Sequence, residues 1–283
     1  MGVELLEVYV LAEEHASGLF WAQHGISFLL KVWIDDEVYK LLFDTGNSWE
    51  PIRHNLSLLR ETIDDLKALV LSHRHYDHTG GLEGLLKDLG RPLPIVAHPE
   101  IFRPNFALPL REIGIPLRRE ETEALGGRLI LSRDPIEVLS NVITTGEVPR
   151  VTELEREMTI ETYTVDESGR LVRDPMMDDI SLIVKMEGGS IVITGCSHAG
   201  IVNIVRRAID LAGPVKAVVG GFHLVGASEE RIEGSVRALK DLGVRQVITG
   251  HCTGLAAECA FRREFGEYFR QLAVGITLRF EPD

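Results

Sequence analysis

The chain has 283 residues, 45% of them hydrophobic, and a formal charge of −13. The apolar share is ample for a packed core, and the acidic balance excludes the basic face that a nucleic-acid footprint needs. It leaves room for an anionic small molecule held by local arginines. No apolar run approaches the length that spans a bilayer, and the first residues lack a basic region followed by an apolar stretch, so neither a membrane span nor a signal peptide is expected. Cys196, Cys252 and Cys259 form no CxxC pair and no even framework, which points to a reducing, cytoplasmic setting. No domain boundary or repeat stands out, so one domain over 1–283 is expected, and nothing in the sequence speaks to the oligomeric state.

In chain order, the first part is strand-rich. Residues 8–11, 26–34 and 38–43 are short, β-prone and separated by polar or glycine-bearing turns. An apolar run at 68–71 leads into a histidine cluster, and a helix is expected from Leu82, Leu85, Leu86 and Leu89. A strand follows at 94–97. Residues 99–127 are broken by prolines 99, 104, 109 and 116 and read as a lid or small insertion. Strands are expected at 128–132, 141–145 and 158–164, with a polar, turn-rich link over 165–179. The remainder alternates: strands at 180–185 and 191–194, a helix at 201–211, a strand at 215–219, a helix capped by Ser228 with Glu229 and Glu230 in its first turn, a strand at 244–248 and a helix over 255–269. Alternating strands and helices after a strand-rich start suggest two sheets packed face to face with helices outside.

Residues 73–78 read His-Arg-His-Tyr-Asp-His. Burying such groups without a partner costs several kcal/mol, and a divalent cation offsets that cost. His73 and His75 are two apart and point the same way on an extended chain, so they suit one ion. Asp77 and His78 lie where the chain turns into a helix and suit a neighbouring one. Imidazole and carboxylate ligands favour zinc, with iron or manganese as alternatives. Gly80 and Gly81 let the backbone turn tightly beside them.

Three further histidines, His198, His223 and His251, each follow an apolar strand and sit beside glycine, where α/β sheets place their ligands. His198 is expected to complete the first ion's ligands and His251 the second's. His223 is expected to contact substrate or orient a ligand. Asp44, ending an apolar strand before Thr45-Gly46, is expected to accept a proton from a ligating imidazole and fix its tautomer. His24 is a weaker candidate for a pocket wall, and His98 reads as a turn residue before Pro99.

With His73-x-His75-x-Asp77-His78 preceded by the Asp44 turn, the chain resembles the metallo-β-lactamase superfamily. That resemblance implies an αββα sandwich with one or two metal ions at one edge. A narrower likeness covers nearly the whole chain. It runs through Gln23-His24-Gly25-Ile26-Ser27, Leu42-Phe43-Asp44-Thr45-Gly46, Thr145-Gly146-Glu147-Val148-Pro149-Arg150, Asp178-Asp179, Thr194-Gly195-Cys196-Ser197-His198, Gly220-Gly221-Phe222-His223 and Gly250-His251-Cys252-Thr253-Gly254. These segments are similar to the 7,8-dihydropterin-6-methyl-4-(β-D-ribofuranosyl)aminobenzene 5′-phosphate synthase group. The likeness implies a transferase of methanopterin biosynthesis that joins a dihydropterin-methyl diphosphate to the aminobenzene ribose phosphate and releases pyrophosphate.

The pattern departs from the superfamily in two places. Cys196 stands where many members have a bridging aspartate, and a thiolate there can bind a soft metal. The Gly-His-Thr-Pro-Gly ligand segment is missing, so Glu147 competes with His198 as third ligand of the first ion. On the transferase reading, Arg74 and Arg150 are candidate phosphate partners, and Asp178 and Asp179 candidate partners of pterin nitrogens. Two rival readings stand beside it. One is a metal-dependent hydrolase of a phosphodiester, lactone or thioester, with Asp77 or a second ion positioning a metal-bound hydroxide. The other is a non-enzymatic binding protein that kept the fold.

Overall fold

Period-two alternation assigns each strand residue to one of two faces, and the faces sort cleanly in the computed structural model, which describes residues 2–109 and 111–282. Phe28, Leu30, Leu41, Phe43, Val70, Leu182, Val184, Ile191, Ile193, Val219 and Ile248 share one central cluster. Their chain neighbours Leu29, Leu42 and Leu69 belong to a second cluster, and Ile183, Val192, Val218 and Val247 to a third. Successive side chains on a strand point to opposite faces, so the central cluster is the layer between two sheets and the others are their outer faces.

The first sheet runs Thr277–Phe280, Leu5–Ala12, Ser27–Ile34, Glu37–Phe43, Leu66–Val70, Leu93–Ala97 and Gly127–Leu131 in spatial order. Its first four strands pair antiparallel and the rest parallel. The second runs Phe269–Gln271, Gln246–Gly250, Val215–Gly221, Ser190–Ile193, Leu182–Val184, Val142–Thr144 and Glu137–Leu139, with its parallel strands at the other end. Helices Trp49–Leu59 and Leu82–Leu89 cover the outer face of the first sheet through Trp49, Ile52, Leu56, Leu82, Leu85 and Leu86. Helices Ile201–Ala212, Glu229–Asp241 and Leu255–Phe265 cover the second through Ile201, Val205, Val236, Leu239 and Phe261. The layers are α, β, β, α, as expected. Ser228 accepts the Arg231 amide and caps its helix.

Agreement is poorer between the two halves of the chain. The strand expected over 158–164 is only Tyr163–Val165. It pairs with Leu171–Arg173 inside the supposed polar link, and these join Phe106–Ala107 and Arg111–Glu112 in a small third sheet. The proline-rich segment therefore holds a short 3₁₀ turn, a strand pair and the helix Arg119–Ala124. The last helix stops at Phe265 because Gly266 takes φ +57°, a left-handed turn that ends it. Helix Trp49–Leu59 has no counterpart among the expected elements. Among the described residues no helix is long and apolar enough to cross a membrane.

Candidate metal centre

The carboxyl ends of the parallel strands of both sheets meet at one rim, and the histidines sit in the turns that leave them. After Leu66–Val70 come His73 and His75, and His75 caps the four-residue helix Tyr76–Thr79 that carries Asp77 and His78. Ser190–Ile193 delivers Cys196 and His198, Val215–Gly221 delivers His223, and Gln246–Gly250 delivers His251. Asp44, Ser197, His223 and His251 all take positive φ, between 45° and 59°. Non-glycine residues held there are uncommon and concentrate at functional sites. Gly25 has φ +111°, and a Cβ on it would lie 1.8 Å from the Asp77 carbonyl oxygen, so only glycine lets this segment lie against the short helix.

Proton placement on the imidazoles follows from their neighbours. Asp44 Oδ2 accepts from His78 Nδ1 at 2.7 Å and from the Ser72 hydroxyl at 2.6 Å, while Oδ1 accepts the Ser72 amide at 2.7 Å. The Ser72 hydroxyl in turn faces His73 Nδ1 at 2.9 Å. His75 Nε2 lies 3.1 Å from Asn105 Oδ1, and His251 Nδ1 lies 2.8 Å from Glu14 Oε1. Each ring thus donates its proton to the protein on one side. The remaining nitrogens turn inward: His73 Nε2 and His75 Nδ1 are 3.1 Å apart, and Cys196 Sγ is 3.1 Å from His78 Nε2 and 3.3 Å from His251 Nε2.

Two sets of ligand atoms converge within 4.8 Å: His73, His75 and His198 in one, Asp77, His78, Cys196 and His251 in the other. A third grouping, Cys196, His198 and His223, overlaps both. Burial, reinforced by the surrounding imidazoles, holds His73 and His198 well below the ordinary histidine range. Burial likewise takes His75 down to about 4. Burial pushes the Asp77 carboxyl up, but His78 and His251 outweigh it and hold it well below the usual range. Burial also pushes His78 and His251 down, but Asp77 and Asp44 beside the first and Cys252, Asp77 and Glu14 beside the second outweigh it and raise both, so metal binding at the second set would displace their protons. The fit is tested by atoms without partners: both ring nitrogens of His198 and both of His223 are buried with no hydrogen bond. Orphaned buried polar atoms of this kind are rare, and a cation held with His73 and His75 would take one nitrogen of His198.

Other expectations need correction. Glu147 lies outside both sets. Its carboxylate is 2.9 Å from His98 Nε2 and also pairs with Arg133, and His198 supplies the third nitrogen beside His73 and His75. His98 is the turn residue expected before Pro99, fully buried, with Nδ1 accepting the Glu100 amide at 3.1 Å. Arg74 does not face a ligand: it is fully buried, with its guanidinium held between Asp174 and Asp178. Asp178 is taken up by that pair and by the Arg74 amide at 2.9 Å. Asp179 is buried behind the His198 turn, accepting the Ala199 amide at 2.8 Å, and burial pushes its carboxyl up to about 7. Arg150 lines a separate cavity of about 310 Å³ with Arg156 and Arg173, and its guanidinium donates to the Pro175 carbonyl.

A cavity of about 350 Å³ opens beside the two sets. His75, Asp77, Cys196, His198, His223 and His251 form its polar side, and Tyr76, Ile113, Ile160 and Val225 an apolar wall. Glu14 also lines it. Glu14 escaped sequence reasoning because its partner His251 is 237 positions away.

A sequence model of the metallo-beta-lactamase superfamily matches residues 31–251. The chain belongs to that superfamily. It is 42% identical to the 7,8-dihydropterin-6-methyl-4-(beta-D-ribofuranosyl)-aminobenzene-5′-phosphate synthase of Methanocaldococcus jannaschii, with 98% of each chain covered. A second protein of that organism, without an assigned function, is 34% identical over 88% of this chain and 91% of its own. Among solved structures, Tm1679, described as a metal-dependent hydrolase of the beta-lactamase superfamily, superposes with a TM-score of 0.83 at 30% identity, covering 98% of this chain and 99% of its own. Both seven-stranded sheets of this superfamily member contribute metal-binding candidates.

Proposed function

We propose that this protein is a metal-dependent transferase that joins a dihydropterin-methyl diphosphate to 4-(β-D-ribofuranosyl)aminobenzene 5′-phosphate and releases pyrophosphate. The observation that carries this reading is the extent of the likeness to the synthase: 42% identity over 98% of both chains, a span that includes both ligand sets and the cavity walls. The apolar wall of Tyr76, Ile113, Ile160 and Val225 suits a flat heterocycle, because ligand sites pair apolar surface with a few fixed polar groups. Arg150, which lines a separate cavity, is retained as a candidate phosphate partner because guanidinium suits a phosphate.

Divalent ions held by His73, His75 and His198 and by Asp77, His78, Cys196 and His251 would supply Lewis acidity toward the diphosphate. Nitrogen and sulfur ligands make zinc the first expectation, with iron or manganese as alternatives. The chain's own groups do the rest. The cavity wall orients the ring so that its methylene faces the acceptor amine. The methylene–oxygen bond breaks with its electron pair leaving on pyrophosphate, the carbon–nitrogen bond forms, and the amine loses one proton. His223, which lines the cavity, would take that proton.

Pyrophosphate release from the dihydropterin-methyl diphosphate tests the reading. It is expected only when the aminobenzene acceptor is present, and it is expected to disappear in His75→Ala. A hydrolase is the second reading, favoured by the 30% identity to a protein described as a metal-dependent hydrolase. Acceptor-independent turnover of the diphosphate or of a chromogenic phosphodiester would assign the chain there.

A further inference from the structure

Glu14 contacts two imidazoles. Its Oε1 lies 2.6 Å from His24 Nδ1 and 2.8 Å from His251 Nδ1. The same carboxylate is therefore placed to accept the Nδ1 proton of both rings. With Nδ1 protonated, a neutral imidazole keeps its lone pair on Nε2. Both Nε2 atoms point at one place: His24 Nε2 is 3.3 Å and His251 Nε2 is 3.4 Å from Asp77 Oδ2. The two rings sit with centroids 5.2 Å apart. Glu14, His24 and His251 form a ligand grouping of their own that shares His251 with the second set, and both Nε2 atoms converge on the Asp77 oxygen of that set.

We infer that His24 is a further ligand of the second metal ion, and that Glu14 orients His24 and His251 together. Glu14 thereby does for these two rings what Asp44 does for His78, where a carboxylate takes the outer proton and leaves the inner nitrogen to the metal. The local sequence supports the placement. Gly25, the next residue, approaches the Asp77 carbonyl so closely that a Cβ is excluded, which brings the His24 ring over the short helix. His24 lines the cavity and its side chain is 55% exposed, so the ion it helps hold faces the substrate. The inference rests on the two-ion reading of the site, not on which reaction the site performs.

Metal titration of the full-length protein tests it. Zinc binding is measured by competition with a chromophoric chelator, and the visible spectrum of the cobalt-substituted protein reports the ligand field. Wild type is expected to bind two equivalents. His24→Ala is expected to keep the first and weaken the second about 10–100-fold, the range seen when groups around a metal are removed, with an altered cobalt spectrum. Glu14→Gln is expected to weaken the same equivalent. The exposed His24 side chain can be truncated without opening the core, and thermal melting of each variant checks that the fold is intact. If His24→Ala binds both equivalents with wild-type affinity and an unchanged spectrum, the inference is overturned while the proposed function stands. If wild type binds no metal, both are overturned.

Discussion

Asp44 holds Ser72 and His78 with one carboxylate, so Asp44→Asn acts on two groups at once. An amide nitrogen facing His78 Nδ1 would donate where the carboxylate accepts, moving the ring proton to the Nε2 that faces Cys196. Metal affinity should fall about 10–100-fold, read by chelator competition, with little change in fold. Asp179 gives a pH signature. Its carboxyl is raised to about 7 by burial, against the Ala199 amide that favours the ion. Between its ordinary value near 4 and about 7, the folded protein keeps a proton that the unfolded chain has lost, so this group's contribution to stability declines as pH rises through that window. Asp179→Asn keeps an acceptor for Ala199 without the charge. In metal-free protein its advantage over wild type should be near zero at pH 4, grow as pH rises to 7 and then level off at a few kcal/mol, since each tenfold difference in proton affinity between the folded and unfolded chain is worth about 1.4 kcal/mol. Thermal melts across that range check it.

At the scale of elements, the short helix Tyr76–Thr79 is fixed from two sides. Residue 25 presses on it, and Gly25→Ala would place a methyl on the Asp77 carbonyl. The helix must move, taking Asp77 and His78 with it, and elemental analysis of the purified variant should show reduced metal content. On the other side Arg74 ties the motif turn to Asp174 and Asp178. Arg74→Met leaves two buried carboxylates without their cation and should cost about 3–5 kcal/mol in urea unfolding, most of it recovered when both aspartates become asparagine. Elements with strong periodicity are legible in the sequence: the strands around Phe28, Leu41 and Val218, and the helices at 82–89 and 201–212, have faces that alternate or recur as their burial does. Helix Trp49–Leu59 also has a signal, Trp49, Ile52 and Leu56 along one side, but Pro51 near its start looks like a breaker until its place in the first turn is known.

For the molecule as a whole, the candidate metal centre draws on both sheets, since the first carries His73, His75, Asp77 and His78 and the second Cys196, His198, His223 and His251. Removing the metal with a chelator should therefore destabilise the entire fold cooperatively. A site saturated at a thousand times its dissociation constant contributes about 4 kcal/mol, and calorimetry with and without chelator measures the loss. The residues whose chemistry is written in a local pattern, His73 to His78 and the strand-end histidines, are visible in the sequence alone. The roles of Arg74, Glu147 and Glu14 are not, because each depends on a partner set by tertiary structure: Arg74 and Asp174 are 100 positions apart, Glu147 and His98 49, Glu14 and His251 237.

The strand order carries a consequence for biosynthesis. Thr277–Phe280, near the end of the chain, pairs with Leu5–Ala12 near its beginning, and His251 is among the last of the ligand candidates to be translated. A nascent chain on the ribosome can gather the His73 cluster early, yet the second set of candidate ligands is incomplete until His251 has been made. Capture of an ion by that set would then follow the making of His251, and a product that stops before it would be left with histidines gathered around no complete cradle.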